Sequence, residues 1–148
     1  MTIARNQSKR GTAMLEFALG WALLWSLFAG AYQFGYSFYV YNIVMTSVAN
    51  AAELGSRMDY DTGNPSLFTT ALTNMVVYGN TTAGTTPLVP GLSSANVNVN
   101  ANLVSAIPTN ITVKISNFTI DAFFTKFTLN GKPSATAAYM GQIVCASC

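Results

Sequence analysis

Between Phe17 and Ala52 the chain carries no charged side chain and no proline, and nothing else in the sequence limits the fold so strongly. Arg5, Lys9 and Arg10 stand just ahead of this stretch, Glu16 lies at its head, and Glu53 and Arg57 close it. A bilayer core takes about 20 apolar residues as a helix, and Phe17 to Tyr41 supplies them. Asn42 to Arg57 goes on in alanine, serine and threonine, which suits a helix facing water or another subunit. One helix from Gly11 to Arg57 would be roughly 70 Å long at ~1.5 Å per residue, enough to span a membrane and project beyond it. The simplest use of such a stretch is a plain anchor. Basic flanks stay cytoplasmic, so the leader predicts a single pass of the inner membrane with the carboxy-terminal part outside. A secretory signal peptide would be cut after its apolar core. This core is too long for that, and it leaves through aromatic rather than small residues.

The remaining composition points the same way. Only 8% of the 148 residues are charged and 51% are hydrophobic. So few charges protect a soluble monomer poorly against association, which favours life in a membrane, in a polymer, or in both. The net charge is +2, and the basic excess sits in the leader. Beyond it Arg57, Lys114, Lys126 and Lys132 face five carboxylates and form no basic patch, so nucleic acid is not an expected partner. The chain has no histidine, which removes most acid–base and nucleophile–base pairings. Its carboxylates (Glu16, Glu53, Asp59, Asp61 and Asp121) are dispersed, and there is no glycine-rich phosphate loop. No enzyme, catalytic residue or cofactor is expected. Asp59 and Asp61 offer two side chains where calcium takes about six to eight oxygens, so they read as a turn rather than a metal site.

Within the helix, Trp21, Trp25, Phe28, Tyr32, Tyr36 and Tyr39 recur at intervals of three and four, one face of an α-helix. An aromatic belt at a membrane interface is a band at one depth, whereas this is a stripe along the axis. Packing against other helices explains a stripe, and explains it better than electron conduction along stacked rings. Gly20, Ala31 and Gly35 permit close backbone approach, and Ala31 and Gly35 have the small-xxx-small spacing. Glycine inside a helix costs about 1 kcal/mol relative to alanine, so these positions ask for a packing reason.

Met58 to Asn64 reads as a polar turn. Asn64-Pro65 reads as an N-cap with proline at the first helical position. A short helix follows, with Leu67, Leu72, Met75 and Val76 as its apolar face, and Gly79 stops it. Gly79 to Gly91 is a loop. The period then changes to two. Asn96 to Leu103 alternates with its asparagines on one face, and Ile111, Val113 and Ile115 alternate inward. Phe123–Leu129 and Ala135–Val144 are two more candidate strands, joined by Asn130-Gly131, a hairpin signal. The fold class expected is α+β: a long hydrophobic amino-terminal helix, a short helix and a small antiparallel sheet of about four strands. Cys145 and Cys148 end the chain as C-x-x-C. One pair cannot complete a four-thiolate zinc site. Outside the inner membrane an oxidised pair fits, and a local disulfide is expected. A bridge between subunits and free thiols are the alternatives.

Three blocks go further: RGTAMLEFALG, GAYQFGYSFYVYN and AAELGSR. They resemble the TadE-like family, small pilin-like proteins of tight-adherence pilus systems. The resemblance covers Arg10 to Arg57, and more weakly NMVVYGNTTAGTTPLVPGL downstream. Family members often carry a proline a few residues after E-F-A-L. Gly20-Trp21 stands there in this chain, so no proline kink is expected. The resemblance implies a leader of residues 1–11 cut after Gly11 by a prepilin peptidase, leaving Thr12 as the mature amino terminus. It implies that Glu16, the fifth mature residue, pairs with the α-amine of Thr12 during assembly. Read without the family, Glu16 sits at headgroup level near the start of its helix, where the dipole favours a negative charge. The expected organisation is a leader (1–11), a transmembrane and filament-core helix (12–57) and an extracytoplasmic head (58–148). The expected function is a structural subunit that anchors in the inner membrane and polymerises with identical subunits into an extracellular filament. The alternatives are a minor pilin or pseudopilin of such a system, and a monomeric membrane-anchored binding module.

Overall fold

The computed structural model describes residues 4–105, 107–141 and 143–144, and the side chains of 11–105 and 107–141. One helix, α1 (Ala4–Arg57), runs without interruption through the uncharged stretch. The chain divides at Tyr36/Ser37 into two compact units.

The first unit, ending at Tyr36, is helix alone over its described residues. Its large apolar side chains point in every direction and stay exposed: Met14, Leu15, Phe17, Leu19, Trp21 and onward to Phe34. A helix apolar all round is one that something else must cover.

The second unit begins on the last turns of α1. There Val40, Val44, Val48, Ala51 and Ala52 form a buried face at helical spacing. The helix packs tightly on the head at Gly55, where an added Cβ would lie 2.8 Å from Leu72 Cδ1 and 3.1 Å from Ile111 Cγ2. Ser47 and Ser56 are also buried there, and each satisfies its hydroxyl on the carbonyl three residues back, Val44 at 2.9 Å and Glu53 at 2.7 Å. Strand β1 (Tyr60–Asp61) follows, then α2 (Pro65–Tyr78). Gly79, at φ +74°, ends α2 with its N–H on the Met75 carbonyl at 3.0 Å. A single 3-10 turn (Ser94–Asn96) leads into β2 (Val97–Val104), β3 (Ile107–Ile115), β4 (Phe118–Asp121), β5 (Lys126–Leu129), β6 (Ser134–Ala138) and β7 (Ile143–Val144).

Three small sheets result. Strands β2, β3 and β6 form an antiparallel sheet with β3 central, β4 and β5 an antiparallel pair, and β1 and β7 a parallel pair. Ile111, Val113 and Ile115 of β3 are fully buried, and Phe118, Ile120 and Ala122 continue the inward side along β4. With Phe68, Leu72, Val76 and Val77 of α2 they make the core, joined by Val89 and Leu92 from the loop. The asparagines at 98, 100 and 102 lie together on the outer face, as the alternation predicts.

The fold class read from the sequence is the one observed, α+β with a long amino-terminal helix, a short second helix and small, mainly antiparallel sheets, but seven strands in three sheets, one a parallel pair, stand where a single antiparallel sheet of about four was expected. Several details differ. Leu67 is exposed and Phe68 buried, so the inner face of α2 is rotated by one residue from that expected. Asn64 makes no side-chain cap; its Oδ1 instead accepts from the Ser66 hydroxyl. Asn96 belongs to the turn before β2, where its amide donates to the Asn117 carbonyl at 3.0 Å. The Asn130-Gly131 signal does not close a hairpin. Strand β5 pairs back with β4, and β6 crosses to β3, so the dipeptide (Gly131 at φ +75°) carries the chain between sheets. Phe123 and Phe124 lie in the β4–β5 connection rather than in a strand.

Candidate functional site

The positions singled out in the helix all lie on α1. Gly11, Thr12 and Glu16 are exposed there. Trp21 (60%), Trp25 (66%), Phe28 (68%), Tyr32 (63%) and Tyr39 (63%) keep most of their surface open, and Tyr36 is half-buried. Neighbours along the helix stack: Phe17 on Trp21 and Tyr32 on Tyr36, each with ring centroids 6.3 Å apart. Ala31 is exposed. A Cβ built on Gly11, Gly20, Gly30 or Gly35 would meet nothing within 4 Å. These helical glycines therefore have no packing reason inside one copy of the described chain. Gln33, 5% exposed, is a buried amide in this otherwise apolar run; its polarity was the signal the sequence offered.

The head carries polar features that sequence reasoning missed. Tyr139 fastens the end of α1 to the chain after β6. Its hydroxyl donates to the Met58 carbonyl at 3.0 Å and accepts the Tyr60 N–H at 3.0 Å. The Met140 N–H donates to the Ser56 carbonyl at 2.7 Å beside it. Burial pushes the Tyr139 phenol above its ordinary value, the Tyr60 N–H pulls it partly back, and the Asp59 charge raises it again. Only the spacing of a lone aromatic after a small-residue strand could have hinted at this role. Asp61 behaves as the turn residue expected, accepting the Gly63 N–H at 2.8 Å. Among the described residues no three of His, Cys, Asp and Glu come together. Cys145 and Cys148 lie outside the described residues.

Gly11–Arg57 is long and apolar enough to cross a membrane, and the chain is an α+β protein with a single such helix among its described residues. The model of the family described as TadE-like protein matches residues 11–53. That match covers the apolar helix and leaves the head outside it, including the stretch from Asn74 to Leu92 where the weaker resemblance lies. Comparison with curated proteins returned no match, and neither did comparison with solved structures. The family match and the apolar helix fit a Tad pilus-related, pilin-like protein, and one such helix is consistent with a single-pass anchor.

Proposed function

We propose that the chain is a structural pilin-like subunit that waits in the inner membrane and then polymerises through α1 into an extracellular filament. One observation carries the reading. The same helix exposes large apolar side chains on all sides and places glycines where no neighbour in its own chain needs them. A bilayer satisfies the first property but not the second, since lipid does not require close backbone approach, whereas helix–helix packing uses both. The family match over residues 11–53 supports the same use. Topology follows from the basic leader, with the head outside the inner membrane. Identical subunits are the main partners, and a prepilin peptidase acts once, between Gly11 and Thr12.

The test is electron microscopy and mass spectrometry of material sheared from cells that express the chain with its assembly system. Fibres in which this chain is the dominant protein and starts at Thr12 are expected. Gly11→Val should leave a heavier subunit in the membrane, by the mass of residues 1–11. Fibres holding only trace copies would make it a minor pilin, and a chain confined to the membrane with no fibres would make it a monomeric anchored module.

A further inference from the structure

The connection from β5 to β6 carries the chain between two sheets and is held at both ends. Leu129 pairs with Phe118 at the close of β5, and the Pro133 carbonyl accepts the Ile115 N–H at 3.1 Å just before β6. Asn130 and Gly131 lie in no strand. Asn130 is exposed, and neither its carboxamide nor the Gly131 N–H makes a hydrogen bond among the described residues. A Cβ built on Gly131 would meet nothing within 4 Å, so the space around this peptide is open.

Asn130 is the only asparagine of the sequence that precedes a glycine. Glycine puts no side chain in the way of its own nitrogen. Asn64 precedes a proline, which has no N–H. Asn74 and Asn96 commit their amides to the Thr81 carbonyl at 3.1 Å and the Asn117 carbonyl at 3.0 Å. The remaining asparagines are followed by residues whose side chains crowd the next nitrogen.

We propose that Asn130 is a self-modification site, which converts in the folded chain to aspartate and isoaspartate. The Gly131 nitrogen gives its proton to solvent base and attacks Asn130 Cγ. A C–N bond forms, the Cγ–Nδ2 bond breaks, and ammonia leaves with a proton from water, closing a five-membered imide. Water then opens the ring. Opening at Cγ restores the main chain and leaves aspartate. Opening at the main-chain carbonyl carbon leaves isoaspartate, with the chain running through Cβ and Cγ. Each conversion consumes one water and releases one ammonia, and no electrons are transferred. Both products put a carboxylate, ionised at neutral pH, where a neutral amide stood. It lies two residues from Lys132, which has no ion-pair partner among the described residues. With only 8% of residues charged, one more carboxylate is a sizeable change to this surface. Isoaspartate also lengthens the main chain by one carbon between β5, which pairs with β4, and β6, which pairs with β3.

Peptide mass spectrometry of the full chain, purified in detergent and followed with time, tests this. Aspartate and isoaspartate at position 130 are expected at least about tenfold faster than at any other asparagine, a ratio that needs only ~1.4 kcal/mol in the barrier. The conversion should quicken as the pH rises. Hydroxylamine, which attacks imides, should cut the incubated chain between residues 130 and 131. Asn130→Gln should lose both the cut and the acidic shift in isoelectric focusing, because glutamine would have to close a larger ring. The chain unfolded in guanidinium sets the pace of an unhindered Asn-Gly, and the folded chain should come close to it. An Asn130 amide that survives in the folded chain and is lost in the unfolded one would overturn the proposal, and so would faster conversion at another asparagine. The readout needs no fibres, so it stands apart from the assembly reading.

Discussion

An unpartnered carboxylate in the middle of a bilayer costs about 3 kcal/mol on insertion scales, so Glu16 has to sit at the membrane surface or find a cation. Replacing it by alanine makes the helix more apolar and should not impair insertion. In a filament core the same carboxylate would be dry, where an opposite charge orients it strongly. Glu16→Ala is therefore expected to keep the subunit in the membrane and to abolish or strongly reduce fibres, read by immunoblot of membrane and sheared fractions. Fibres of normal yield and stability would leave Glu16 as a headgroup-level residue. Tyr139 can be tested independently of assembly. Tyr139→Phe strands the Met58 carbonyl and the Tyr60 N–H, and should destabilise the detergent-solubilised chain by about 1–3 kcal/mol. The pH dependence has a definite sign. The folded phenol titrates above its unfolded value, so its contribution is fully present below pH ~10 and is lost as pH rises through the folded value. As the pH rises from ~10 through the folded value the wild type should lose more stability than Tyr139→Phe; parallel stability curves over that range would contradict the assignment.

Glycines within one helix do opposite things. A side chain at Gly55 would enter the packed space beside Leu72 and Ile111, so Gly55→Val should cost about 1–3 kcal/mol in thermal unfolding. Gly20 faces open space, and Gly20→Ala should leave the solubilised chain unchanged or raise helix stability by up to about 1 kcal/mol. Equal destabilisation by both would mean that Gly20 already packs within its own chain. The sequence separates these two glycines poorly, because helical spacing says which face a residue is on but not what stands opposite. The same limit explains the other differences. Ile111, Val113 and Ile115 were legible because alternation fixes a half-buried strand on its own. The inner face of α2 was legible only in part: Leu72 and Val76 are buried as expected, but Leu67 and Phe68 are both apolar and only the position of the core chooses between them. Asn130-Gly131 has the turn chemistry of a hairpin, but strand partners are decided by long-range packing, and β3 took β6 as its partner while β5 kept β4. Asp121, Lys126 and the two phenylalanines between them were visible in the sequence. The phenylalanines read as strand because aromatic residues favour strands, and nothing local said that the chain turned there.

Taken whole, the chain comprises an apolar helix whose large side chains it leaves exposed, which the proposed function covers first with lipid and then with other copies, and a head that folds around its own core. The central claim is that α1 is packing surface, and Gly35 probes it most directly. Gly35 is exposed and open, so a leucine there fits the isolated chain and raises its hydrophobicity. Insertion should be unaffected, while close approach of a neighbouring helix should be blocked. The measurement is the amount of subunit in membrane and sheared fractions of cells expressing Gly35→Leu beside wild type. Equal membrane-held subunit and no fibres from the variant are predicted; fibres in normal amount would contradict the packing role of α1.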